Sequence, residues 1–92
     1  MRISFDQAKN DRTVLERQLP FELAAQFDFE TALVQADLRH EYGEVRYVAL
    51  GHLQSRLHVL CFSETADGIR VISLRKANHR EVKRYAKNQG LD

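Results

Sequence analysis

Residues 45–75 read VRYVALGHLQSRLHVLCFSETADGIRVISLR, and this stretch decides the fold. Val45 to Gly51, Leu57 to Glu64 and Ile69 to Arg75 are three β-rich runs, dense in branched and aromatic side chains. Gln54 and Ser55 fall in the first connection. Asp67-Gly68 marks the second as a hairpin, since Gly admits the positive φ that tight turns require. Within the middle run Val59 and Cys61 point one way, Leu60 and Phe62 the other. Apolar residues on both faces require a sheet covered, at least in part, on both sides.

Upstream, the two-residue period continues. Ala32, Val34 and Ala36 alternate with Leu33, Gln35 and Asp37, and Gly43 follows at a turn. Further back, Leu23, Ala24 and Phe27 repeat at helical spacing behind Pro20, whose missing N–H costs nothing in a first turn. Ala8 to Gln18 reads as a polar helix that Asp6 can cap, and Ile3-Ser4-Phe5 as a short strand. Downstream, Asn78-His79-Arg80-Glu81 has capping-box spacing, and Val82, Tyr85 and Ala86 form a narrow apolar stripe on a charged helix. The order β-α-α-β-β-β-β-α predicts an α+β domain. Its sheet is expected to be twisted and mostly antiparallel, with two N-terminal helices and one C-terminal helix.

At 92 residues, 43 % hydrophobic and 29 % charged, the chain is expected to be one globular domain spanning 1–92. Its longest apolar runs, Tyr47–Leu50 and Val59–Phe62, fall far short of the roughly 20 residues of a membrane span. No secretory signal opens the chain, and the single Cys61 can form no internal disulfide, so a cytoplasmic location is expected. The net charge of +1 hides an asymmetry. Residues 70–92 hold seven Lys/Arg against Glu81 and Asp92, a net +5, and the first 69 residues are net −4. A basic end on an acidic body suits either nucleic-acid binding or a solvated helix.

Metal-site spacing is missing: His40, His52, His58 and His79 lie 12, 6 and 21 residues apart. The four Gly are isolated, so there is no phosphate-cradling loop, and no cofactor is expected. The informative residues are charges punctuating apolar strands. Glu44 and Arg46 open one strand, Arg70 interrupts the last, and Arg75-Lys76 close it. Strict alternation puts Arg70, Ile72 and Leu74 on one face, and Ile69, Val71, Ser73 and Arg75 on the other. A charge on a half-buried face must reach solvent, a carboxylate or a ligand phosphate. Cross-strand pairs Glu44–Arg70 or Glu64–Arg46 are the plain alternative, worth about 0.2–1 kcal/mol each.

Ile3-Ser4-Phe5-Asp6, Ala8-Lys9-Asn10, Gly43-Glu44-x-Arg46 and Ala49-Leu50-Gly51, followed by Arg70-x-Ile72-Ser73-x-Arg75-x-Ala77-x-x-x-Glu81-x-x-x-Tyr85, resemble the BrnT family of toxins. The closing block, seven positions at fixed spacing, is the specific part. The resemblance implies a RelE-like fold and RNA cleavage. It also implies inhibition by a BrnA-like ribbon-helix-helix antitoxin, through which alone operator DNA would be contacted. One segment departs from the family: Glu16-Arg17-Gln18 stands where Lys-His-Gly is usual. Arg17 can hold a phosphate but cannot shuttle a proton, because guanidinium stays charged at neutral pH. The missing Gly also suggests a differently drawn turn.

The chemistry so implied is metal-independent attack of the RNA 2′-OH on the adjacent phosphorus. Arg46, Arg70 and Arg75 are the candidates to stabilise phosphoryl charge. Glu44 or His79 would be the base, and His79 or Tyr85 the acid. Lys76, Arg80, Lys83 and Arg84 would hold the RNA backbone. Tyr85 has core packing as its rival role, and Glu81 reads as the capping-box partner. The alternative is a catalytically weak or inactive module of the same fold that binds an antitoxin or nucleic acid.

Overall fold

The structure, a computed structural model, describes residues 1–90; Leu91 and Asp92, the end of the expected domain, lie outside the described residues. The chain runs through β1 (Arg2–Phe5), α1 (Gln7–Arg17), a 3-10 helix (Phe21–Gln26), β2 (Leu33–Ala36), β3 (Tyr47–Leu53), β4 (Arg56–Glu64), β5 (Gly68–Lys76) and α2 (His79–Asn88). The strands form one sheet in the order β1-β5-β4-β3-β2. Three pairings are antiparallel, but β1 runs parallel to β5, so the sheet is mixed.

The second expected N-terminal helix is a 3-10 helix. Phe21 and Ala24 are its buried residues, at 1 % and 0 % exposure, and Phe27, the residue that caps its C-terminus, is buried too, at 5 %. Their spacing of three matches the three residues per turn of a 3-10 helix better than the 3.6 of an α-helix. Pro20 stands just outside it in extended conformation, at φ −60° and ψ 139°. Helix α1 has no buried residue and is held at discrete points. Asp6 caps it by accepting from the Lys9 N–H at 3.0 Å, and Asn10 Oδ1 accepts from the Phe21 N–H at 2.8 Å.

Gln18 ends α1 in a left-handed conformation that usually favours Gly, with φ 57° and ψ 36°.

Two cores cover the two faces, as the apolar doubling of β4 predicts. Leu60, Phe62, Ala49, Leu53, Ile69, Val71 and Leu74 pack with the 3-10 helix on one face. Leu50, Leu57, Val59 and Tyr85 form the second, under α2. The Asp67-Gly68 hairpin is present, but Gly68 is required for a reason other than positive φ. A Cβ there would lie 2.0 Å from the Arg2 carbonyl oxygen, so glycine lets β1 dock.

Alternation fails at one point in β5. The register passes from Cys61 opposite Ser73 to Phe62 opposite Val71, leaving Ile72 as the extra residue of a bulge. Val71, Ile69 and Leu74 consequently share the first core. Arg70 and Arg75, expected on opposite faces, both lie on the α2 face, opposite Ser63 and Val59.

Candidate functional site

Helix α2 covers only part of its face. Asn78 caps it by accepting from the Glu81 N–H at 2.9 Å, while the Glu81 carboxylate accepts from the Asn78 N–H at 2.8 Å. Tyr85 then reaches over Leu50, Leu57 and Val59 and donates its hydroxyl to the Thr31 carbonyl at 2.9 Å. The other half of the face, toward the β2–β3 loop, carries Ser63 of β4 opposite Arg70 of β5, with Arg46 in the loop just ahead of β3.

These groups converge on Glu44. Arg70 Nη1 donates to both Glu44 carboxylate oxygens at 3.2 Å. The nearby Ser63 hydroxyl is the largest influence holding the Glu44 carboxyl below its ordinary range, with Arg70 and Arg46 adding their charge. Arg46 lays its guanidinium over the Tyr42 ring, 4.0 Å from the centroid, and its Nε is buried without a hydrogen-bond partner. Tyr42 is fixed in turn by Asp37, a buried carboxylate that accepts from its hydroxyl at 3.0 Å and from Arg39 Nε and Nη2 at 2.9 Å each. Those bonds, Arg39 foremost, keep Asp37 ionised far below the usual carboxylate range despite burial. Two guanidiniums beside one ionised carboxylate give a site with surplus positive charge, the kind of charge that a phosphate would balance.

Arg75 serves the opposite end. Ser63 and Val59, the partners of Arg70 and Arg75, are four residues apart in β4, so the two arginines start about 13 Å from each other at a strand rise of ~3.3 Å. Arg75 makes a bidentate pair with Glu81, both bonds 2.9 Å. That pair pushes the Glu81 carboxyl down to about 2 and ties the first turn of α2 to β5. Beside it, Arg17 donates to the Leu74 carbonyl at 3.1 Å, and Glu16, Arg17, Gln18, Arg75 and Lys76 border a polar hollow of about 410 Å³.

The remaining sequence candidates disperse. His79 begins α2 and is exposed, at the Arg75 end rather than beside Glu44. Tyr85 is 6 % exposed, packs edge-on against His52 and takes the packing role. Lys76, Arg80, Lys83 and Arg84 are exposed, the last three on α2. Of the two cross-strand pairs weighed, Glu44–Arg70 forms. Cys61 is buried, and burial raises its thiol pKa. Among the described residues, no three His, Cys, Asp or Glu side chains gather where an ion could be held, and no helix is long and apolar enough to cross a membrane.

A family model described as "Ribonuclease toxin, BrnT, of type II toxin-antitoxin system" matches residues 5–81. The chain belongs to the BrnT toxin family. Membership makes it a ribonuclease toxin, with RNA as substrate and an antitoxin as partner. The match contains Glu44, Arg46, Arg70, Arg75 and His79 and stops short of Lys83, Arg84 and Tyr85. No match is found among curated proteins or among solved structures.

Sequence reading missed the Asp37–Arg39–Tyr42 network and Ser63. The only trace of Ser63 is a hydroxyl closing an apolar strand. For Asp37 it is an acid ending an alternating run, a pattern that ordinary loops share.

Proposed function

We propose that this BrnT chain is a metal-independent endoribonuclease with a RelE-like fold, formed by residues 1–92 as one domain and acting in the cytoplasm. In this reading Arg46 and Arg70 receive the scissile phosphate. The arriving phosphate draws Arg70 away from Glu44, and the released carboxylate takes the proton from the 2′-OH. The 2′ oxygen forms its bond to phosphorus as the bond to the 5′ oxygen breaks, leaving a 2′,3′-cyclic phosphate and a 5′-OH. Charge building on the phosphoryl oxygens is met by two preorganised guanidiniums, a contribution of the oxyanion-hole kind. The leaving oxygen takes its proton from solvent while Arg46 offsets its charge. Arg75, Lys76, Arg80, Lys83 and Arg84 lie farther off and would hold flanking backbone.

The observation that carries this reading is the Glu44–Arg70–Arg46 cluster, two guanidiniums gathered on one carboxylate. Antitoxin-free protein should cut RNA in EDTA and leave cyclic-phosphate ends; dependence on a divalent ion would refute the mechanism. The antitoxin is proposed to be BrnA-like, a ribbon-helix-helix protein that contacts operator DNA itself.

A second reading, a binding module with little activity, draws on Arg17. Its guanidinium is engaged by a backbone carbonyl, and it cannot donate or accept a proton as a histidine would. Such a chain would bind antitoxin normally and leave growth unaffected when expressed alone.

A further inference from the structure

The loop between β2 and β3 is held more firmly than a surface connection requires. The Asp37 side chain, 3 % exposed, anchors both Arg39 and Tyr42, and the Tyr42 ring supports Arg46. This loop frames a hollow of about 430 Å³ lined by Leu38, Glu41, Tyr42, Glu44 and Val45. That size falls within the ~300–1,000 Å³ of small-molecule sites. Leu38 and Val45 leave 86 % and 61 % of their surface in water, so the loop displays apolar walls that none of the described residues covers.

We propose that this hollow receives one unstacked nucleobase of the RNA whose phosphate lies on Arg46 and Arg70, and that Glu41 makes guanine the preferred base. This rests on the ribonuclease reading. Glu44 lines the hollow and also pairs with Arg70, so base site and phosphate site share a wall. Single-stranded RNA is read by splaying bases against aromatic and apolar side chains and bonding their edges. Tyr42, Leu38 and Val45 supply the walls. Among the described residues Glu41 forms no ion pair, which leaves its carboxylate able to accept. Guanine presents two adjacent donors, N1–H and the exocyclic amine, which suit one carboxylate in bidentate fashion. Cytosine and adenine offer an amine beside a ring acceptor, and uracil an N–H between two carbonyls.

The test is a titration of isotopically labelled full-length protein, followed by amide and arginine side-chain resonances, with inorganic phosphate and with each of the four nucleoside 3′-monophosphates. Phosphate should move Arg46 and Arg70 alone. Guanosine 3′-monophosphate should also move residues 38–45 and bind at least fivefold tighter than the uridine nucleotide. Glu41→Gln should erase that ratio without altering phosphate affinity. Leu38→Glu, at an exposed position, should reduce guanosine 3′-monophosphate to the affinity of phosphate. If all four nucleotides behave like phosphate and residues 38–45 stay still, the base site is refuted while the ribonuclease reading stands. If nothing moves Arg46 or Arg70, both fall. A shift of residues 38–45 by the antitoxin and by no nucleotide would assign the hollow to the protein partner and overturn the proposal.

Discussion

Replacing Glu81 by Gln separates the role of Arg75 in stability from any role in cleavage. Glu81 lies 2.9 Å from Arg75 through two bonds, and its carboxyl drops from 4.5 to about 2. At ~1.4 kcal/mol per pH unit, that drop corresponds to about 3 kcal/mol of preference for the ionised folded form. The Arg75 side chain is 40 % exposed, so solvent screening reduces the expected loss to ~1–2 kcal/mol. The sign follows from linkage. A carboxyl depressed by folding stabilises fully above its ordinary value of 4.5, and the contribution fades as pH falls toward about 2. Urea melts at pH 7 should therefore show Glu81→Gln less stable than wild type by ~1–2 kcal/mol. The gap should close between pH 4.5 and 2. A gap of equal size at pH 7 and pH 2.5 would refute the ion pair as its source.

Gln18→Gly should raise stability by ~0.5–1 kcal/mol, read as a higher Tm, because Gln18 holds a left-handed conformation that glycine adopts without Cβ strain. Tyr85→Phe should destabilise by ~0.5–1.5 kcal/mol through loss of the Thr31 bond and leave single-turnover cleavage within a few-fold of wild type. A loss of a hundredfold or more would restore Tyr85 as an acid. His79→Ala should leave the cleavage rate within about threefold, since α2 begins at the Arg75 end; a general acid or base there would cost ~10²–10⁴.

Much of the scaffold was legible because its signals are local. The capping box at Asn78 and Glu81, the Asp6 cap and the doubled apolar faces of β4 need only neighbouring residues to be read. What escaped reading depends on distant partners. Nothing in Ile3-Ser4-Phe5 says that it will run parallel to β5, and nothing near Gly68 says that the Arg2 backbone will press against it. The bulge at Ile72 was the costliest omission, since one extra residue carries Arg70 and Arg75 onto a single face. Glu44 and Arg70 were nominated from their types, and the turn of the β2–β3 loop is what joins them across 26 residues. The helical repeat at Leu23, Ala24 and Phe27 leaves out Phe21, and the three-residue spacing from Phe21 to Ala24 is the trace of the 3-10 helix.

The central claim is that Arg70 stabilises charge on the scissile phosphate. Its ion pair with Glu44 is partly exposed, 45 % and 32 % for the two side chains, and worth ~1 kcal/mol, so Arg70→Ala should melt close to wild type and still bind antitoxin. Single-turnover RNA cleavage in EDTA should nonetheless fall by ~10²–10³, the cost of removing one oxyanion donor, with Arg70→Lys recovering only part. A folded, antitoxin-binding Arg70→Ala protein that cleaves RNA at the wild-type rate would contradict the account.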